Sequence, residues 1–218
     1  MKKERISKNV IRRLPMYLRR LDDLIYHDVE RISSGELGRQ MGLTPSQIRQ
    51  DFSCFGEFGQ QGFGYRVREL RDHVARILGM NERYNVVIVG VGNLGHALIE
   101  NMSFSELGFT VTAAFDADPQ KIGGSIAGVP VFSSDSLTEW LTANPTDIVV
   151  LTVPRRVSRQ VAQSVADCGV KGIWNFTNVD LELSHSDVSV ENIHFSDSLL
   201  TLSYAVTQSI IKPTSTEK

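Results

Sequence analysis

Hydrophobic positions recur with two different rhythms in the two halves of the chain. From Ile6 to Tyr26, the residues Val10, Leu14, Leu18, Leu21 and Ile25 fall three or four apart, which predicts one amphipathic helix. Pro15 is expected to bend that helix or delay its start. Ser33 or Ser34 opens a second helix bearing Leu37, Gly38 and Met41, and Gly42 closes it with a residue suited to the left-handed region. Thr44-Pro45-Ser46-Gln47 opens a third, with Thr44 as N-cap, Pro45 at the first helical position and Gln47 completing a capping box. From Cys54 to Tyr65 glycines alternate with aromatics, which predicts a tight β-hairpin with Phe55, Phe58 and Phe63 turned into the core. A short helix from Arg68 to Leu78 and a linker at Gly79-Met80-Asn81 follow.

Beyond the linker the rhythm changes to short, continuous apolar runs. Asn85 to Val89 suits a strand buried on both faces of a parallel sheet. Strands over 109–115, 129–132, 147–153, 172–176 and 190–195 alternate with helices over 94–102, 136–143 and 157–168. That alternation predicts an α/β fold. A last helix from Leu199 to Ile211 carries an apolar stripe at Leu199, Leu202, Ala205, Val206 and Ile210 and is stopped by Pro213. The stripe either packs on its own sheet or crosses to a second copy. The expected organisation is a winged helix-turn-helix domain over 1–80, a Rossmann-like parallel-sheet domain over 81–195, and a terminal helix and tail over 196–218.

Charge separates the same two parts. The first 80 residues carry 15 Lys and Arg against 10 Asp and Glu, and the remainder carries 8 against 15. A basic front on an acidic back fits a polyanion-binding module joined to something else, although a solvated helix face gives the same count. No apolar run approaches the ~20 residues of a membrane span. The basic start, Met1 to Arg5, lacks the apolar stretch of a secretory signal, so a cytoplasmic location is expected. Cys54 and Cys168 have no metal or redox spacing, and Cys54 is expected to be a small buried hydrophobe.

Two candidate sites follow. Two short helices joined by Gly-Leu-Thr-Pro match the helix-turn-helix plan, whose second helix enters the major groove. Arg49 and Gln50 have donors for base edges or phosphates, and Ser46 and Gln47 lie at the positive end of that helix, near a phosphate. Tyr65 and Arg66, at the end of the wing, are candidates for phosphate or minor-groove contact. In the back half, Gly90-Val91-Gly92-Asn93-Leu94-Gly95 lies between a strand and a helix, the context that a dinucleotide-binding turn requires. Asp116 ends the second strand 26 residues after Gly90, where an acid would bind the adenosine ribose diol and repel a phosphate there. Thr152, Val153, Pro154, Asn175 and Phe176 lie at strand ends and are candidates for the nicotinamide side.

The chain resembles the redox-sensing transcriptional repressors called Rex over nearly its whole length. The resemblance rests on Met16-Tyr17-Leu18-Arg19, on Gln47-Ile48-Arg49-Gln50-Asp51-Phe52 with the wing through Gly64-Tyr65, and on Val89 to Gly95. It extends to Leu151-Thr152-Val153-Pro154-Arg155 and Asn175-Phe176. It implies a homodimer in which the terminal helix of each subunit inserts into the other. It implies binding to palindromic DNA operators, release by NADH, and DNA binding permitted by NAD+. By position, Arg49 would be the main recognition-helix contact and Arg19 would couple the first helix to the nucleotide domain. Asp116 would hold the adenine ribose, and Phe195 would pack near the nicotinamide of the partner subunit. Two positions depart from the family pattern. His194 stands where an aspartate partner of the coupling arginine is expected, and Asn101 where a tyrosine is expected.

Three other readings compete. A dehydrogenase would have about 20 residues left for a substrate domain, against the ~100 typical of a domain. The histidines at 27, 73, 96 and 185 form no visible acid-base arrangement. A coenzyme A or NADP sensor is disfavoured by Asp116. A constitutive DNA-binding protein with a vestigial nucleotide fold remains compatible with Asn101 and His194.

Overall fold

The computed structural model describes residues 6–56, 63–183 and 187–211. The chain separates into two compact units, Met1–Glu82 and Arg83–Lys218.

The first unit opens with α1 (Lys8–Tyr26), capped by Ser7, whose hydroxyl accepts from the Val10 amide. Pro15 neither delays nor ends this helix. It lies on the exposed side, where water can satisfy the carbonyl that its missing N–H leaves free. The buried stripe is wider than the periodicity predicts, because Tyr17 and Leu24 join Val10, Leu14, Leu18 and Leu21, while Ile25 is only half-buried. After β1 (Arg31–Ile32) come α2 (Ser34–Met41) and α3 (Pro45–Ser53), capped by the hydroxyls of Ser33 and Thr44. Gly42 ends α2 at φ 68°. Gly38 lets the two helices meet, since a Cβ there would lie 2.5 Å from the Leu43 carbonyl oxygen.

β2 (Tyr65–Arg66) pairs antiparallel with β1, a strand too short for its pattern to stand out in the sequence, and α4 (Val67–Ile77) then packs against α1. The expected hairpin tip, with Phe58, lies outside the described residues. Gly64, at φ 71°, breaks the strand alternation and brings the chain against the Ile32 carbonyl. Tyr65 therefore turns into the core and Phe63 is 68% exposed, the reverse of the expectation for both rings.

The second unit carries β3 (Tyr84–Val89), α5 (Asn93–Asn101), β4 (Phe109–Asp116), β5 (Ser125–Ile126) and β6 (Val129–Ser133). It continues with α6 (Leu137–Ala143), β7 (Ile148–Leu151), α7 (Arg155–Asp167), β8 (Gly172–Asn175), β9 (Ser189–Asn192) and α8 (Phe195–Ile211). The sheet order is β5-β6-β4-β3-β7-β8-β9, parallel except for the short β5. The direction of winding reverses between β3 and β7, which opens a crevice at their carboxyl ends. On one face Leu137, Leu141, Ala162 and Val165 cover Val87, Phe115, Val149 and Leu151. On the other, Ile99 and Phe104 cover Val86, Ile88 and Val150. That second cover is incomplete and leaves an apolar hollow of about 440 Å³ lined by Met102, Phe109, Ile148, Trp174 and Val190.

Several boundaries differ from expectation. β7 stops at Leu151, because Thr152 turns its hydroxyl back onto the Gly90 carbonyl. The last strand stops at Asn192 and α8 begins at Phe195, four residues before Leu199, with Asp197 in the helix's positive first turn. Among the described side chains of α8, Leu199 is 65% and Leu202 58% exposed.

Candidate nucleic-acid interface and nucleotide site

Residues of α3 divide into an outward and an inward set. Ser46, Arg49 and Gln50 are exposed. The Arg49 guanidinium donates to Ser34 Oγ at 3.1 Å and to Ser46 Oγ at 3.2 Å, so it is held across the turn between the helices. Thr44 accepts from the Gln47 amide N–H, but the return half of the expected capping box is absent, because the Gln47 side chain is drawn to Asp51 instead.

Asp51 is fully buried. Its Oδ2 accepts from Arg13 Nε and from Tyr17 Oη, both at 2.6 Å. Its Oδ1 accepts from Arg13 Nη2 and Gln47 Nε2, both at 2.7 Å. Burial alone would raise this carboxyl, but the bonds from Arg13, Tyr17 and Gln47 outweigh it and hold it below the usual carboxylate range. Burial, reinforced by Asp51, pushes the Tyr17 phenol well above its ordinary value. Sequence patterning missed this cluster.

Tyr65 is corrected from a DNA candidate to a core residue, its ring packed edge-on to Phe52 at 5.3 Å. Arg66 stays exposed, paired with Glu69 at 2.8 Å. Cys54 is exposed rather than buried, because it follows the inward set Ile48, Asp51 and Phe52 by two residues and so leaves their face. Arg19 is exposed, with no ion pair among the described residues.

In the second unit Gly90 takes φ 96°, and its amide donates to the Phe115 carbonyl at 2.8 Å. A Cβ on Gly95 would stand 2.1 Å from the Gly90 oxygen, so only glycine lets α5 approach β3 this closely. Gly92 has open space around it and begins α5 without a side-chain cap. The turn thus presents backbone N–H groups to an anion. Asp116 Oδ2 accepts from the Val91 amide at 2.6 Å, and Oδ1 accepts from the Asp118 amide at 2.9 Å. Lys121 Nζ stands 3.3 Å from Asp116. Burial would raise the Asp116 carboxyl, but these partners hold it below its usual range.

Gly90, Gly92, Asp116, Thr152, Val153 and Pro154 line one cleft of about 950 Å³. Val91, Gly92, Asn93 and Asn101 line a smaller neighbouring cleft, and Lys121 borders both. Leu94 and Gly95 line neither cleft and pack α5 instead. Lys121 and Arg156 were not foreseen in this site.

Asn175 is corrected from a ligand candidate to a structural residue. It is buried, donates to Val179 O and Asn192 Oδ1, and accepts from the Thr177 amide and hydroxyl. Phe195 is exposed and stacks on Phe176 with centroids 5.8 Å apart. His194 contacts Asn178 Oδ1 through Nδ1 and Asp180 Oδ1 through Nε2, both at 3.0 Å. Asn101 donates to its own helix at the Ala97 carbonyl. His185 lies outside the described residues. Among the described residues no helix is long and apolar enough to cross a membrane, and no group of three His, Cys, Asp or Glu is placed to hold a metal ion.

Residues 5–53 match the family described as "Putative DNA-binding protein N-terminus" and residues 81–179 the family described as "CoA binding domain". The chain is 46% identical over 211 residues to the redox-sensing transcriptional repressor Rex of Caldicellulosiruptor saccharolyticus, covering 97% of this chain and 96% of that one. It is 50% identical over 201 residues to the Rex of Clostridium botulinum, covering 92% and 95%. Among solved structures it matches RSP, a Rex-family repressor, in complex with β-NAD+ and operator DNA, with TM-score 0.88 and 43% identity over 95% of each chain. It also matches RSP in complex with β-NADH, with TM-score 0.88 and 41% identity over 94% of this chain and 96% of that one. The chain therefore belongs to the family of redox-sensing transcriptional repressors called Rex.

Proposed function

We propose that this chain is a DNA-binding transcriptional repressor that senses NADH against NAD+, acting as a cytoplasmic homodimer on palindromic operators. The observation that carries the reading is the pairing of an outward recognition helix with a glycine turn and strand-end acid. Ser46, Gln47, Arg49 and Gln50 of α3 would meet DNA, with Arg66 at the end of the wing. The Gly90 to Gly95 turn and the α5 N-terminus would hold a pyrophosphate. Asp116 would hold the ribose diol, using the acceptor site its three partners leave free. Thr152, Val153 and Pro154 would border the nicotinamide side. Nicotinamide supplies the redox state that is sensed, and no bond of it is broken by the protein. Arg19, Asn101 and His194 are assigned to the coupling between nucleotide and DNA, and α8 to the dimer.

The test is fluorescence anisotropy on a labelled palindromic duplex selected in vitro by the protein itself, at fixed salt, titrated with NADH and separately with NAD+. Release by micromolar NADH and not by NAD+ is the expected result. Binding indifferent to both nucleotides overturns the sensing reading, and turnover of NADH with a small carbonyl substrate favours a dehydrogenase. Lys121 beside Asp116 favours one variation, a site that tolerates a ribose phosphate, so NADPH and coenzyme A belong in the same titration.

A further inference from the structure

Asp51 has four donors on its two oxygens, which fills the acceptor capacity of a carboxylate. Three of those donor bonds come from α1, through Arg13 and Tyr17, and only the fourth comes from α3. A carboxylate in this state only accepts, so the Gln47 amide must turn its nitrogen inward. The orientation of that amide is therefore set by chemistry, whereas an exposed glutamine rotates freely between its two ends. The Gln47 Oε1 has no partner among the described residues and is not buried. Gln47 also lines an open groove of about 570 Å³ with Gln50, Arg13 and Cys54. An outward carbonyl oxygen cannot bind a phosphate, which is itself an acceptor. In the major groove it fits the amino group of adenine or cytosine.

We propose that Asp51 is a positioning residue for operator reading, holding the Gln47 amide so that its carbonyl meets the amino edge of an adenine or cytosine in the major groove. The inference rests on the repressor reading above and replaces the phosphate contact expected for Gln47. Asp51 itself touches no DNA. It acts from behind, braced by α1.

The test is in vitro selection from a randomised duplex library with the full-length wild type, Gln47→Met, Asp51→Asn and Tyr17→Phe. The wild type is expected to select a palindrome. Gln47→Met and Asp51→Asn are each expected to relax the same symmetric pair of positions, by about tenfold in base preference, and to leave the others unchanged. A residue that only stabilised the fold would weaken all positions together. Tyr17→Phe removes one of the four donors and is expected to relax the same pair less, which keeps the positioning test available should Asp51→Asn fail to fold. An unchanged preference in Gln47→Met overturns the inference alone. So does relaxation in Asp51→Asn or Tyr17→Phe at positions other than those of Gln47→Met. A wild type that selects no palindrome overturns the repressor reading and this inference with it.

Discussion

The Thr152 hydroxyl donates to the Gly90 carbonyl at 2.6 Å, tying the end of β7 to the glycine turn across the point where the sheet reverses. A Cβ on Gly95 would lie 2.1 Å from the same Gly90 oxygen and 2.9 Å from the Thr152 hydroxyl. Thr152→Val keeps the volume and removes the bond. It is expected to cost about 1 kcal/mol of stability and to weaken NADH binding several-fold. Gly95→Ala is expected to abolish binding, because a methyl cannot occupy that approach. Isothermal titration with NADH measures both, and an unchanged affinity in Gly95→Ala would remove the turn from the site.

The Arg13–Asp51–Tyr17 cluster predicts a stability window for the first unit. Asp51 is held low when folded, so its contribution is present above the ordinary carboxyl value of about 3.9 and is lost as pH falls through the folded value. Tyr17 is held high, so its contribution is present below about pH 10 and is lost as pH rises through the folded value. Urea midpoints of the full chain, followed by far-UV circular dichroism, should decline at both ends. Tyr17→Phe should reduce the alkaline decline, leaving the part that comes from Tyr65, whose phenol burial also holds high, and keep most of the acid one. Arg13→Met should cost about 3 kcal/mol at neutral pH, because it leaves a buried carboxylate without its cation.

α8 predicts the assembly state. The exposed leucines at 199 and 202, one turn apart, match a dimer contact better than a water-facing helix. Leu202→Asp should shift the protein from dimer to monomer in sedimentation velocity at micromolar concentration. An intact dimer would place the interface elsewhere.

His194 predicts altered coupling. Asp180 lies 3.0 Å from its Nε2, so His194→Asp alone would set two carboxylates side by side. The pair His194→Asp with Asp180→Asn avoids that repulsion. It should increase the ratio of DNA affinities with NAD+ and with NADH, measured at one salt concentration. No change in that ratio would free His194 from the coupling role.

Arg49→Ala tests the recognition helix. A loss of about 1–3 kcal/mol with relaxed sequence preference would mean base reading, whereas a mainly reduced salt slope would mean phosphate contact. Neither change would take Arg49 out of the interface.

What the sequence revealed was local. The caps at Ser33 and Thr44, the stop at Gly42 and the strand into Gly90 are signalled by neighbours a few residues apart, and each appears where its pattern puts it. Asp51 was invisible because Arg13 and Tyr17 lie 38 and 34 positions away, and a lone aspartate on a polar helix reads as surface. Tyr65 was misplaced because its partner strand has only two residues. Asn175 ends a strand where ligands bind, but four bonds within its own loop and to Asn192 use up its amide. Lys121 follows the Asp118-Pro119 turn, and no periodicity shows that it folds back onto Asp116.

Arg49 enters any encounter with its guanidinium already fixed by the hydroxyls of Ser34 and Ser46. A free arginine surrenders its rotamer freedom on docking, at a cost of about 0.5–1.5 kcal/mol. Here much of that ordering precedes contact. The saving belongs equally to every sequence the protein meets, so its effect is on the time spent at each stop during a search along DNA. Discrimination between stops comes from the contacts made after docking, not from this ordering.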